Sequence, residues 1–383
     1  MTTLSFGTLA LIGLVALLGP LLAAPRRWRL PVVLGEILGG ILLGSSGLGL
    51  LQADDPAFAF LASMGFALTM FVAGSHIPIR NASLRPALIR GVLRAILVGA
   101  VAALLGVGIA ALAGTDNAAL YAVLMASSSA ALVVPTFAEL GLDGPMVLTT
   151  LAQVAIADTA CIVALPLVLR PKDAPGAMLG AVVIIGCAGV IYLGLLILDR
   201  RGLWQRFRRL SHDRYLALEL RISLIVLFSL AAVAVGSRGS VMLAGFAFGV
   251  AVAAVGEPRR LARQLFALND GFLGPLFFVW LGASLTLGDL AGHPQFLLLG
   301  PLLGAGAVLA HLSMRLTGQP PSLGVMSAAQ LGVPVAAVAI GGGVLAPGES
   351  TALLIGALVT VVALAVAAAG AARRAAAAPG GAP

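Results

Sequence analysis

Between Asp143 and Arg170 the chain runs through an apolar stretch that carries one charge, Asp158, at its middle. An ionised carboxylate at the centre of a bilayer costs about 2.5 to 3.5 kcal/mol on insertion scales, so such a residue is normally kept for what it binds. A carboxylate in these surroundings takes up a proton or a cation, and the two compete for the same oxygens. If the site alternates between the two sides of a membrane and crosses only when loaded, that competition is enough to exchange one ion for the other. The bland alternative is an aspartate kept protonated, or hydrogen-bonded between helices.

An alkali cation needs several oxygens, which one carboxylate does not supply. Thr159 is adjacent to Asp158. Ser127, Ser128, Ser129 and Thr136 surround Pro135 in a neighbouring apolar run, and Gln330 lies near Pro334 in another. A proline frees a backbone carbonyl, so Pro135 and Pro334 are expected to interrupt their helices and offer further oxygens. Each hydroxyl taken alone is more simply a helix-packing residue. The other embedded acids are Glu36, Glu219 and Asp270. Glu36 stands among Gly35, Gly39, Gly40 and Gly44, the small-xxx-small spacing of close helix contact. Glu219, beside Arg221, and Asp270 look like structural groups near helix ends. Arg90 and Arg94 are expected to snorkel to the surface. His311 and Arg315, four apart, either line the core or mark the inner end of their segment. Cys161 and Cys187 are too few for a disulfide framework or a zinc site and read as small core residues.

The elements that hold these residues follow from composition. Of 383 residues 60% are apolar and 10% charged, against about 25% charged in a typical soluble domain, and the mean hydropathy is +1.08. Lipid offers the backbone no hydrogen-bond partner, so helices or a closed barrel remain, and long unbroken apolar runs select helices. The expected fold is an all-α polytopic membrane protein. Thirteen apolar segments run approximately from 4 to 24, 31 to 50, 57 to 76, 87 to 113, 117 to 140, 145 to 169, 175 to 198, 215 to 235, 240 to 256, 265 to 287, 294 to 316, 322 to 346 and 350 to 372. Residues 1–372 thus read as one transmembrane transporter domain and 373–383, an Ala/Pro/Gly tail, as disordered.

The first segment has no basic residue before it and Arg26, Arg27 and Arg29 after it, the reverse of a secretory signal. With the N-terminus outside, nearly all arginines fall on the inner side, including those at 200–214, Arg259, Arg260, Arg263, Arg373 and Arg374. The outer loops keep only Arg170, Lys172 and Arg238, as the positive-inside rule requires. Residues 202–210 mix Trp, Phe and Leu with arginines and suit either an interfacial helix or a solvated basic loop. The net charge of +8 follows the loops and forms no nucleic-acid face.

A weak internal repeat links the third and tenth segments, Gly65-Phe66 to Gly74 and Gly271-Phe272 to Gly282. Two segments further on in each half come the runs holding Pro135 and Pro334. An offset of seven spans reverses orientation, so the repeat is of inverted topology, and breaks at corresponding places mark a transporter's binding site.

These residues resemble the monovalent cation:proton antiporter-2 family, which includes sodium/proton antiporters and potassium efflux systems. The matching stretches are Pro31-Val-Val-Leu-Gly-Glu36 with Gly40 and Gly44, Phe71 to Gly74, Ala126 to Ala131, Ala157-Asp158 and Pro275 to Gly282. The resemblance implies two broken, crossed helices beside the aspartate, a core domain that moves like an elevator, and a homodimer built through a separate dimerisation domain. It implies an ion site on Asp158 with Ser127 to Ser129 lining it. Two departures stand out: Ala157 replaces the Asp or Asn that precedes the aspartate in many relatives, and the lysine of electrogenic relatives is missing from the eleventh segment. They imply an electroneutral exchange, with His311 or Arg315 standing in for that lysine.

The expected activity is therefore sodium- or potassium/proton antiport, without enzymatic activity or cofactor, in a bacterial inner membrane. No glycine fingerprint follows a predicted strand, so nucleotide gating is not expected. An organic-anion or bile-acid-like symporter would place basic or amide groups at the crossover, and a non-transporting sensor would show no flux. A channel fits the inverted repeat poorly. An intramembrane aspartyl protease would need a second deep aspartate, for which only Asp270 is available.

Overall fold

The computed structural model describes residues 4–25, 31–75, 84–201, 217–237, 239–256, 259–340 and 344–377. Among them, 11 helices are long and apolar enough to cross a membrane. Two shorter apolar helices, Val32–Leu43 and Val241–Val255, stand where the second and ninth segments are expected. Every segment read from hydropathy thus has its helix. Large apolar side chains such as Ile89, Leu104, Val182 and Val366 cover the outside, a surface suited to lipid rather than water. The last helix, Glu349–Ala377, runs on past Arg373. The basic run at 202–210, and Arg26, Arg27 and Arg29, lie outside the described residues.

Contacts sort the spans into two bundles. In one, the fourth (Leu84–Ala113), fifth (Ala118–Glu139), sixth (Pro145–Leu169), eleventh (Pro294–Thr317), twelfth (Pro321–Val338) and thirteenth (Glu349–Ala377) pack on one another. The first three pack with the ninth and tenth in the other, and the seventh (Ala174–Arg200) and eighth (Leu218–Gly236) lie against the ninth.

Glycines set the closest approaches. A Cβ on Gly74 would strike the Phe246 carbonyl of the ninth span, and one on Gly282, in the tenth, would strike the Ile37 carbonyl of the second. A shift of seven spans carries the third onto the tenth and the second onto the ninth. The two contacts are compatible with the repeat read from the sequence. Gly35 meets the first span in the same way, 2.5 Å from the Leu18 carbonyl for an added Cβ, as small-xxx-small spacing predicts.

Candidate functional site

The fifth span is broken, but not by its proline. Its first half, Ala118–Ala126, ends at Ser127, which is extended at φ −70° and ψ 152°. Its second half, Ala130–Glu139, starts after Ser129 and contains Pro135 in its interior. The twelfth span likewise consists of Pro321–Ser327 and a second half beginning at Gly332. Pro334 sits in the first turn of that half, where a missing N–H sacrifices no intrahelical bond. The expected interruptions at Pro135 and Pro334 are thus corrected to 127–129 and 328–331.

Tertiary bonds hold the breaks open. The Ser129 amide donates to the Ala329 carbonyl at 2.8 Å, so the two unwound segments meet backbone to backbone. The Ser127 hydroxyl lies 2.7 Å from Gln330 Oε1 and 2.8 Å from the Leu124 carbonyl. Four half-helices consequently end at one crossing, with the N-termini of two and the C-termini of the other two facing it. The first ends carry partial positive charge and the second partial negative charge.

Asp158 reaches this crossing from the sixth span. It is 5% exposed, and its Oδ2 accepts from the Ala130 amide at 3.2 Å. The carboxylate therefore caps the half-helix Ala130–Glu139. On the other side, the Gln330 amide donates to Thr360 Oγ1 at 3.1 Å. Thr360 thus anchors the break of the twelfth span from the thirteenth, with a hydroxyl where Asp158 offers a charge to the fifth. Sequence reasoning missed Thr360. The signal was a hydroxyl in the apolar middle of the last span, away from Ser350 and Thr351 at its start.

His311 also reaches the crossing. It is fully buried, Nδ1 lies 2.9 Å from the Ala307 carbonyl and Nε2 lies 3.1 Å from Ser128 Oγ. The carbonyl can only accept, so Nδ1 carries a hydrogen, and in the neutral ring Nε2 accepts from the serine. Asp158, Ser127, Ser128, Ser129, Gln330 and His311 are thus brought to one crossing.

Three other expected residues are not. Thr159 is exposed, and its hydroxyl turns back to the Ala155 carbonyl at 2.8 Å. It lines an apolar cavity of about 960 Å³ between the sixth, seventh and ninth spans. One residue along a helix is a rotation of about 100°, so the neighbour of a buried residue faces elsewhere. Thr136 similarly bonds to the Leu132 carbonyl of its own helix at 2.7 Å. Arg315 is exposed on the 3-10 turn Ser313–Thr317 that closes the eleventh span.

Arg94 corrects another expectation. Instead of snorkelling it is 4% exposed, with Nε donating to Thr317 Oγ1 at 2.9 Å. Among the described residues its Nη1 and both amide atoms of the buried Gln153 have no partner, a combination that calls for ordered water. Glu349, at the start of the last span, is 1% exposed. It accepts from Asn117 Nδ2 and Tyr121 Oη, each at 2.7 Å, and from the Ala346 amide at 2.9 Å.

With this geometry in hand, three comparisons bear on the chain. The profile of the family described as "Sodium/hydrogen exchanger, transmembrane" matches residues 13–377. YjbQ of Bacillus subtilis, named as a candidate Na(+)/H(+) antiporter, is 26% identical over 313 residues, which is 78% of this chain and 50% of that one. The chain thus spans about half the length of that relative. GerN of Bacillus cereus, named as a Na(+)/H(+)-K(+) antiporter, is 25% identical over 353 residues, 87% of each chain. Among solved structures, the sodium proton antiporter MjNhaP1 of Methanocaldococcus jannaschii superposes with a TM-score of 0.63 at 18% identity, covering 94% of this chain and 95% of that one. This last likeness concerns the fold.

Proposed function

Because the chain belongs to the sodium/hydrogen exchanger family, we propose that it exchanges a monovalent cation, sodium or potassium, for protons, with Asp158 binding one or the other in turn. The observation that carries this reading is the buried Asp158 carboxylate against the crossing of two broken helices. When Asp158 is ionised, the Ala130 amide and its half-helix dipole support the negative charge. An arriving cation finds the carboxylate together with the hydroxyls of Ser127 and Ser128, the Gln330 side chain and carbonyls at the C-terminal ends of two half-helices. A proton neutralises the same group and displaces the cation. The names given to YjbQ and GerN, each of which describes sodium/proton antiport, support the substrate class.

The finer features belong to the same proposal. The bundle of the fourth to sixth and eleventh to thirteenth spans is the moving core, and the other bundle is the scaffold through which two copies associate. Exchange is electroneutral: the ring of His311 is committed to a carbonyl and a serine, so no lysine-like ammonium stands beside Asp158. The N-terminus faces outward, the membrane is a bacterial inner membrane, and the chain sits in the cation:proton antiporter-2 branch. An anion symporter is disfavoured because the crossing presents an acid.

The test is proton flux from proteoliposomes on addition of sodium, potassium or lithium. Asp158→Asn is expected to abolish cation-driven flux at every pH. Persistent flux in that variant sinks the proposal, and acceleration by an imposed membrane potential overturns electroneutrality.

A further inference from the structure

Within the other bundle, the first, second and tenth spans line a cavity of about 620 Å³ that shares no residue with the crossing. Its wall is mostly apolar, with Ile12, Leu17, Phe272 and Phe278 among the lining side chains, but Glu36 and Asp270 face it as well. Glu36 is 4% exposed, and among the described residues no side chain hydrogen-bonds to its carboxylate or forms an ion pair with it. A buried carboxylate facing open space without a partner is costly to keep. Asp270 is held on a π-helical turn, Asn269–Leu273, where the tenth span changes its winding. Such turns inside α-helices occur frequently at functional sites. The turn is braced from the third span, whose Thr69 hydroxyl donates to Asn269 Oδ1 at 2.9 Å, while Asn269 Nδ2 donates to Asp270 Oδ1 at 3.0 Å.

Two acids on separate spans, a braced turn and an apolar hollow together specify a ligand chemistry. A bare alkali ion would leave most of the volume unfilled. Cavities of about 300–1,000 Å³ with apolar walls and a few placed polar groups suit molecules of drug size. We propose that this cavity binds an amphipathic organic cation, with a protonated amine against Glu36 and Asp270 and a hydrocarbon or aromatic body against the apolar wall. This site is separate from Asp158, and the proposal does not depend on the antiport reading.

The experiment is equilibrium binding of 1-naphthylmethylammonium to the full chain in lipid nanodiscs, with neutral 1-naphthylmethanol as the isostere. Saturable binding of the amine is expected, at least tenfold tighter than that of the alcohol and unchanged in Asp158→Asn. It should weaken tenfold or more in Glu36→Gln. Asp270→Asn, at an exposed position where misfolding is not a concern, should weaken it severalfold. Equal uptake of amine and alcohol would mean partition into lipid and would overturn the proposal. So would binding that survives both acid substitutions, or binding lost in Asp158→Asn, which would assign the amine to the crossing instead.

Discussion

Single carboxylates act in this molecule according to the donors around them. Asp55 precedes the third span, and its Oδ1 accepts from the Phe58 amide at 2.9 Å while Oδ2 accepts from the Leu4 amide at 3.2 Å. The Phe58 bond first, with the Leu4 and Ala57 amides adding to it, holds this carboxyl below the usual carboxylate range. A value lower in the folded than in the unfolded chain means stability that is complete above a pH of about 4 and disappears as pH falls through the lowered value. Thermal unfolding between neutral and acid pH should therefore show a flatter profile for Asp55→Asn, which keeps an acceptor for Phe58 without the charge. Superimposable profiles for parent and variant would contradict this. Glu349 is the buried counterpart, satisfied by three donors. Glu349→Ala removes the acceptor of the Asn117 amide, the Tyr121 hydroxyl and the Ala346 amide, leaving Tyr121 only its bond with Thr115, with an expected loss on the order of 2 kcal/mol. An unchanged denaturation midpoint in detergent would refute that assignment.

At the scale of elements, long apolar runs made every span legible, because a helix that meets lipid all round has no other composition open to it. The breaks were legible in kind and misplaced in position. Proline marks where a helix can end, yet Pro135 and Pro334 lie inside the half-helices, and the unwinding falls where Ser129 and Ala329 bond to each other across the crossing. That bond joins residues far apart in sequence, and no local pattern announces it. The same limit explains Thr159, chosen for adjacency and turned away by helix rotation, and Thr360, overlooked because its partner lies on another span. Thr360→Val preserves shape and removes the acceptor for the Gln330 amide. Flux should fall about tenfold, the equivalent of one hydrogen bond of about 1.4 kcal/mol, and Thr360→Ser should restore it. Unaltered flux in the valine variant would mean that the second broken helix needs no such anchor.

For the whole molecule, the proposed exchange requires the two bundles to move along their mutual surface, part of which is the apolar cavity of about 960 Å³ beside Thr159. Ala160 and Ala247 line it from opposite bundles. With Cys161 and Cys187 replaced, a bifunctional maleimide joining Ala160→Cys to Ala247→Cys should arrest exchange, whereas each single variant labelled alone should transport. Normal flux in the joined form would exclude relative movement of the bundles. The crossing also has a consequence for how the chain is made. Ser127 and Gln330 are separated by 203 positions, and ribosomes add about 5–20 residues per second. For roughly 10 to 40 seconds of each synthesis the fifth span emerges with its unwound turn unmatched and Asp158 beside an unfinished pocket. The nascent first half is therefore the stage at which insertion factors and quality-control proteases meet this protein at its most vulnerable, and slowing translation between the two breaks should lower its yield.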